Sequence, residues 1–220
     1  MKYKWINNQN NSNLILFFNG WGCDEHQVKH LKAGQQNVLM IYDYTCLHLD
    51  EKVLNEINNY PEVSIIAWSF GVWMAQYISK NCDLNINKAI AINGTLQPVH
   101  DKFGISKSIV QGTYEHLSER NLMKFQRRMV GGNEAWKQFE ANKPQRTFEN
   151  QKEELGAVIQ HFDLMVDESS IYNKAIIGTT DLIFTCDNQK SYWKDKAEMK
   201  EINSPHFCFY RWNAWSEILI

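Results

Sequence analysis

Short apolar runs punctuate the chain, and each ends in a turn signal. Leu14–Asn19, Val38–Tyr44, Val63–Trp68, Ala89–Ile92 and Ala175–Gly178 are rich in β-branched, aromatic and aliphatic residues, with Ala197–Ile202 as a weaker sixth run. They show little alternation of apolar and polar positions, which predicts strands buried on both faces. Between several of them the period changes. Val53–Asn59 reads as a helix that stops shortly before Pro61, and Phe70–Lys80 as a helix that follows the third strand directly. Strands alternating with helices predict an α/β fold: a mainly parallel sheet flanked by helices. The polar stretch Asn7–Asn13 reads as a turn or loop.

The middle of the chain follows a different rule. From Pro98 to Tyr172 no strand pattern occurs. Leu122, Phe125 and Met129 fall at i, i+3 and i+7, on one helix face, and Leu155, Val158, Ile159, Phe162 and Met165 make a second stripe. A helical cap inserted between the fourth and fifth strands is therefore expected, with 98–172 as the insertion and 1–97 plus 173–220 as the core. Residues 102–146 hold nine Lys or Arg against four Glu, and Arg120, Lys124, Arg127 and Arg128 lie largely on the polar side of the first stripe.

Composition narrows the picture. At 220 residues, 44% hydrophobic and 22% charged, the chain suits one globular domain and excludes collagen, coiled coil and wholesale disorder. The mean hydropathy of −0.47 is low because 22 residues are Asn, which adds polarity without charge. A net charge of −2 gives no electrostatic case for nucleic acid as partner. No apolar run approaches the roughly 20 residues that span a bilayer, and the N-terminus lacks the apolar core of a secretory signal. Five widely spaced cysteines without a CxxC read as reduced thiols of a cytoplasmic protein, not as a disulfide framework or zinc site. His26 and His30 fall at i, i+4 on an expected helix, but no third metal ligand accompanies them. No phosphate-cradling glycine loop occurs, so neither a metal nor a cofactor is expected.

The sharpest chemical signal is Ile65-Ile66-Ala67-Trp68-Ser69-Phe70-Gly71, a strand running into Ser-x-Gly and then a helix. A sharp strand-to-helix turn lifts a serine hydroxyl above the sheet edge, and small residues two before and two after it let the turn pass its neighbours. Ala67 stands where the nucleophile-elbow pattern has Gly. The plain alternative is a strand-to-helix turn with a capping serine. A serine nucleophile needs a base, and the base an orienting acid. Ala175–Gly178 runs through Thr179-Thr180 into Asp181, and the loop Asn203-Ser204-Pro205-His206 carries the last histidine. Taken singly, Asp181 fits a turn aspartate and His206 a surface histidine. The three in the order Ser, Asp, His, each past the C-terminal end of a strand, point to Ser69, Asp181 and His206 acting together. Asp187 is the rival acid, farther into its loop. For an oxyanion hole, one donor is the amide of Phe70, at a helix N-terminus. The other is the amide of Trp21, in the loop Asn19-Gly20-Trp21-Gly22, whose glycines permit unusual backbone angles. Asn93-Gly94-Thr95 ends another strand at the same edge, either lining the site or only turning the chain.

Asn19-Gly20-Trp21-Gly22, Ala67-Trp68-Ser69-Phe70-Gly71-Val72-Trp73, Asn93-Gly94-Thr95, Phe125-Gln126-Arg127-Arg128, Asp181–Thr185 and the closing His206 together resemble the BioG-type pimeloyl-[acyl-carrier protein] methyl ester esterases. The resemblance spans nearly the whole chain. It is more distantly similar to the BioH-type esterases, whose elbow has Gly at position 67 and whose oxyanion loop begins with His where this chain has Asn19. The resemblance implies an α/β-hydrolase fold and hydrolysis of a methyl ester on a pimeloyl group carried by acyl-carrier protein, in biotin synthesis. It also implies Ser69, Asp181 and His206 as triad, Trp21 and Phe70 at the oxyanion positions, and an apolar acyl channel between cap and sheet. Carrier proteins are acidic, so Arg120, Arg127, Arg128 and Arg146 become docking candidates. The alternatives are a broad-specificity short-chain carboxylesterase or thioesterase, an acyltransferase using the same serine, or an inert scaffold that only binds a partner.

Overall fold

The structure, a computed structural model, describes residues 1–9, 11–164 and 169–220. Among these, seven strands form one sheet: β1 (Lys2–Asn7), β2 (Asn13–Phe18), β3 (Asn37–Tyr42), β4 (Glu62–Trp68), β5 (Ile86–Ile92), β6 (Lys174–Gly178) and β7 (Glu198–Ile202). Their spatial order is β1-β3-β2-β4-β5-β6-β7, with only β1 antiparallel to its neighbour. The helices are α1 (Glu51–Asn58), α2 (Phe70–Asn81), α3 (Lys107–Glu115), α4 (Glu119–Val130), α5 (Asn133–Ala141), α6 (Phe148–His161), α7 (Cys186–Trp193) and α8 (Trp215–Ile218).

The strands expected from unbroken apolar runs are the central ones, for a physical reason. Leu14, Ile15, Leu16, Phe17 and Phe18 of β2 are all buried because helices cover both faces of the sheet there. β1 escapes that rule. Lys2 and Lys4 alternate with Tyr3 and Trp5, the period-two pattern of an edge strand, and lysines there oppose pairing with another chain. β7, at the other edge, exposes Glu198, Lys200 and Glu201 in the same way.

Helices α3 to α6 lie between β5 and β6, so the helical insertion stands where the apolar stripes put it, one strand later in the count because of β1. Leu122 and Met129 of α4 and Leu155 and Val158 of α6 are buried; Met165, the last residue of the second stripe, lies outside the described residues, as does Asn10 of the polar stretch. The expected helix through His26 and His30 does not form. Asp24 and Gln27 close a capping box around a single 3-10 turn, Glu25–Gln27, and the chain leaves helical angles at Val28. The two imidazoles turn to separate partners, His26 Nδ1 to Asp24 at 2.9 Å and His30 Nε2 to the Phe209 carbonyl at 3.1 Å.

Candidate active site

The C-terminal ends of four neighbouring strands converge at one rim of the sheet. β4 ends at Trp68, and Ser69 turns the chain directly into α2 with φ 59° and ψ −128°. This left-handed angle is costly for a residue with a Cβ, and it holds the hydroxyl clear of the helix. The turn is pinned by the Ser69 amide donating to the Ile92 carbonyl of β5 at 3.0 Å. Gly71 packs against the Phe18 carbonyl and Gly94 against the Ser69 carbonyl so closely that a Cβ at either position would collide with backbone. The small residue two after the serine is therefore demanded by contact with β2.

Ser69, His206 and Asp181 form one hydrogen-bonded chain. His206 Nε2 lies 2.9 Å from Ser69 Oγ, and His206 Nδ1 lies 2.8 Å from Asp181 Oδ2. Asp181 follows β6 and His206 follows β7, and all three side chains are buried. The Asp181 carboxylate accepts from the Ile183 and Phe184 amides on Oδ1 and from Gln189 Nε2 on Oδ2. An acceptor-only carboxylate requires the imidazole proton on Nδ1, which leaves Nε2 free to accept from the Ser69 hydroxyl. Asp187 sits in the first turn of α7, away from this chain of bonds.

Three further residues hold the imidazole and its carboxylate partner in place: Asn93, which the sequence left as either lining the site or turning the chain, and Trp68 and Gln189, to which it gave no such role. Asn93 follows β5 with φ 46° and spans two loops: its Nδ2 donates to the His206 carbonyl at 2.8 Å and to the Pro205 carbonyl at 3.2 Å, while its Oδ1 accepts from the Gly178 amide at 2.6 Å. Trp68 Nε1 donates to the same His206 carbonyl at 2.9 Å. Gln189, fully buried in α7, ties Asp181 to the Phe184 carbonyl. Phe184 stacks on the imidazole at 5.8 Å between centroids with an interplanar angle of 6°. Asn93 stood at a strand end where such a role could be suspected; nothing in the spacing singled out Gln189.

The loop after β2 lies against the elbow, where Gly20 is so near Trp68 and Ser69 that a Cβ would overlap the Trp68 ring. Its amides are sorted. Gly20 N–H donates to Asn19 Oδ1, Gly22 N–H to Glu154 Oε2 and Cys23 N–H to the Gly20 carbonyl. The Trp21 amide has no partner among the described residues, and neither has the Phe70 amide at the start of α2. The Trp21 ring packs edge-on against Phe125 of α4, at 5.0 Å between centroids.

The arginines separate into two kinds. Arg120, Arg127 and Arg128 are exposed on α4, as is Lys124, and among the described residues none has a carboxylate partner. Arg127 lies over the Trp136 ring at 5.1 Å. Arg146 corrects the docking expectation: its side chain is 5% exposed and pairs with Glu154 at 2.7 Å and Asp43 at 3.3 Å. A guanidinium already neutralised inside the protein cannot dock a partner. Beside the exposed group, a cleft of about 420 Å³ between α3 and α4 is lined by Ile109, Leu117 and Phe125 together with His116, Lys124 and Arg128.

A mainly parallel seven-stranded sheet with a Ser-His-Asp constellation at its C-terminal rim and helices inserted before β6 defines an α/β-hydrolase, of the class that cleaves carboxylic esters. The fold alone recurs in a lipase-esterase related protein from Clostridium acetobutylicum, at 16% identity, TM-score 0.63 and coverage of 92% of this chain and 90% of that one. Residues 1–218 match the family described as "Pimeloyl-ACP methyl esterase BioG", and the chain belongs to that family. The crystal structure of BioG from Haemophilus influenzae superposes with TM-score 0.91 at 33% identity, covering 99% of each chain. A malonyl-[acyl-carrier protein] O-methyltransferase from Bacteroides fragilis is 37% identical over 194 residues; these are 88% of this chain but 39% of that relative's length. Among the described residues no helix is long and apolar enough to cross a membrane.

Proposed function

We propose that the protein hydrolyses the methyl ester of a pimeloyl group carried by acyl-carrier protein, releasing methanol and the free carboxylate. Ser69 is the nucleophile, His206 the general base and acid, and Asp181 the orienting acid. The observation that carries this reading is the unbroken chain Ser69 Oγ–His206–Asp181 at 2.9 and 2.8 Å, beside two amides without partners among the described residues.

His206 Nε2 takes the Ser69 proton as Oγ attacks the ester carbonyl. The oxygen that becomes negative is held by the Trp21 and Phe70 amides, donors that need not reorganise as charge develops. His206 then gives its proton to the departing methoxy group, which leaves as methanol. Water attacks the acyl-enzyme through the same base, and the carboxylate leaves as Ser69 is restored. Asp181 keeps the Nδ1 proton in place throughout and stabilises the transient imidazolium.

Residues 98–172 serve as a cap over the hydrolase core of 1–97 and 173–220. The exposed Arg120, Arg127 and Arg128 favour an acidic macromolecular partner, and the neighbouring cleft favours an extended acyl arm entering beside Phe125. Burying about six methylenes at ~0.8 kcal/mol each would help bring the distal ester to Ser69. The Bacteroides relative, named for placing a methyl group on a carrier-bound acid, carries a segment similar to this chain, which favours a carrier-bound methyl ester over a free one.

The test is methanol release from pimeloyl-acyl-carrier protein methyl ester. Ser69→Ala should lower kcat by about 10⁴-fold or more, as losses of triad serines do. A fluorophosphonate should add its mass to Ser69 in the wild type alone. Retained turnover, or label on another residue, would refute the assignment.

A further inference from the structure

We propose that Glu154 and Arg146 are positioning residues for the oxyanion loop, through which the inserted segment fixes the direction of the Trp21 amide. The proposal rests on the reading of Trp21 N–H as an oxyanion donor. The Trp21 amide belongs to a peptide unit between two anchored ones. On one side Gly20 N–H is held by the Asn19 side chain; on the other Gly22 N–H is held by Glu154 at 2.9 Å. The indole is held too, its Nε1 donating to the Gln151 carbonyl at 2.6 Å, one turn before Glu154 on α6. The Trp21 N–H shares its peptide unit with the Gly20 carbonyl, which accepts from the Cys23 amide at 3.3 Å, so turning this unit breaks that bond, while the units on either side and the indole are held as well.

Glu154 is fully buried, and its second oxygen accepts from the Tyr44 amide beyond β3 at 2.9 Å. A single carboxylate thus joins the oxyanion loop, the end of β3 and α6. Arg146 completes the cluster, donating to Glu154 and to the Cys23 carbonyl of the same loop, and pairing with Asp43. Asp43 is further held by Asn150 of α6 and by Lys2 of β1. A buried ion cluster is a weak source of stability, because desolvation cancels much of the attraction, and apolar residues of similar size often do as well. What apolar residues cannot do is accept two backbone N–H groups at fixed angles. Glu154 is the group here that does so, and one of the two belongs to the residue after Trp21.

The experiment compares wild type, Glu154→Gln and the double variant Glu154→Gln with Arg146→Met, each assayed well below its own melting temperature. The double variant restores charge balance and so keeps the test available if the single variant folds poorly. Glutamine offers one acceptor where Glu154 offers two. Turnover of p-nitrophenyl acetate should fall about 10- to 100-fold in kcat in both variants, by analogy with the loss of an oxyanion donor, with KM within about twofold. Binding of a trifluoromethyl ketone, which becomes an oxyanion on Ser69, should weaken by the same factor. A kcat at the wild-type level in a folded variant, or recovery of kcat along with stability in the double variant, would overturn the positioning role. Failure of the parent reading looks different: wild type itself would neither turn over the ester nor bind the ketone, and Ser69→Ala would match it.

Discussion

Arg128 and Arg146 belong to the same helical insertion and to the same basic stretch of sequence, yet the fold treats them oppositely. Arg128 stands on α4 in solvent with no carboxylate partner among the described residues, beside a cleft. Arg146 belongs to the segment between α5 and α6, its side chain buried and neutralised by Glu154 and Asp43. The second half of the insertion is sewn to the core by polar bonds: Gln27 to the Asn142 carbonyl, the Gln145 amide to Asp24, Trp21 to the Gln151 carbonyl and Gly22 to Glu154. The α3–α4 half meets the same loop through the Phe125 ring and takes the Phe207 amide on the Met129 carbonyl. A run of positive charge therefore meets two fates. One half faces solvent; the other is paired inside the protein, against the loop after β2 and the end of β3.

Stability separates the halves most sharply. Arg146→Ala leaves Glu154 buried without a cation and Asp43 with Lys2 alone, and should cost about 3–5 kcal/mol in urea unfolding. Arg128→Ala should change it by about 0.5 kcal/mol or less. Equal losses would erase the distinction.

Reversing the outward charges should act on substrate instead. Arg120→Glu with Arg128→Glu should raise KM for the carrier-bound methyl ester about 10-fold, worth ~1.4 kcal/mol, with kcat little changed. The same pair should leave p-nitrophenyl acetate untouched, and added salt should narrow the gap between wild type and variant. Equal impairment on both substrates would mean that these arginines do not dock a carrier.

The smallest effect lies in pH. Burial pushes the Asp43 carboxyl up, but its bond to Lys2 and the charge of Arg146 outweigh this and hold it below the usual aspartate value. Burial pushes the Glu154 carboxyl up as well, and there Arg146 and the Tyr44 and Gly22 amides only partly oppose it. A lowered carboxyl contributes stability above its unfolded value of about 3.9, and that contribution is lost as pH falls through its folded value. A raised one does the reverse: stability declines as pH climbs from about 4.3 through the raised value. The penalty of Asp43→Asn should therefore grow with pH on the acid side, while that of Glu154→Gln shrinks. Urea titrations across that range would reveal parallel slopes if the two carboxylates were equivalent.

Much of this was legible in one dimension. β2 to β6 announced themselves because strands buried on both faces must be apolar throughout, and the elbow because a serine between a strand and a helix needs small neighbours. β1 carried its own signal in Lys2, Tyr3, Lys4 and Trp5, an alternation that a search for apolar runs passes over. The family resemblance in the loops after β2, β4 and β6 pointed to the residues that now meet at one rim. Glu154 and Gln151 share a face with Leu155 and Val158, so a carboxylate on an apolar stripe was the one local hint of the cluster.

By itself, then, the chain determined the layered fold, the helical insertion and the placing of Ser69, Asp181 and His206 after strand ends, because these follow from periods of hydrophobicity and from local turn chemistry. Only the tertiary structure decided which arginine is a surface charge and which is a buried brace, which amide is left without a partner, and which carbonyls hold the imidazole. Those outcomes depend on groups distant in sequence competing for the same few hydrogen bonds, and such competition leaves no mark until the chain is packed.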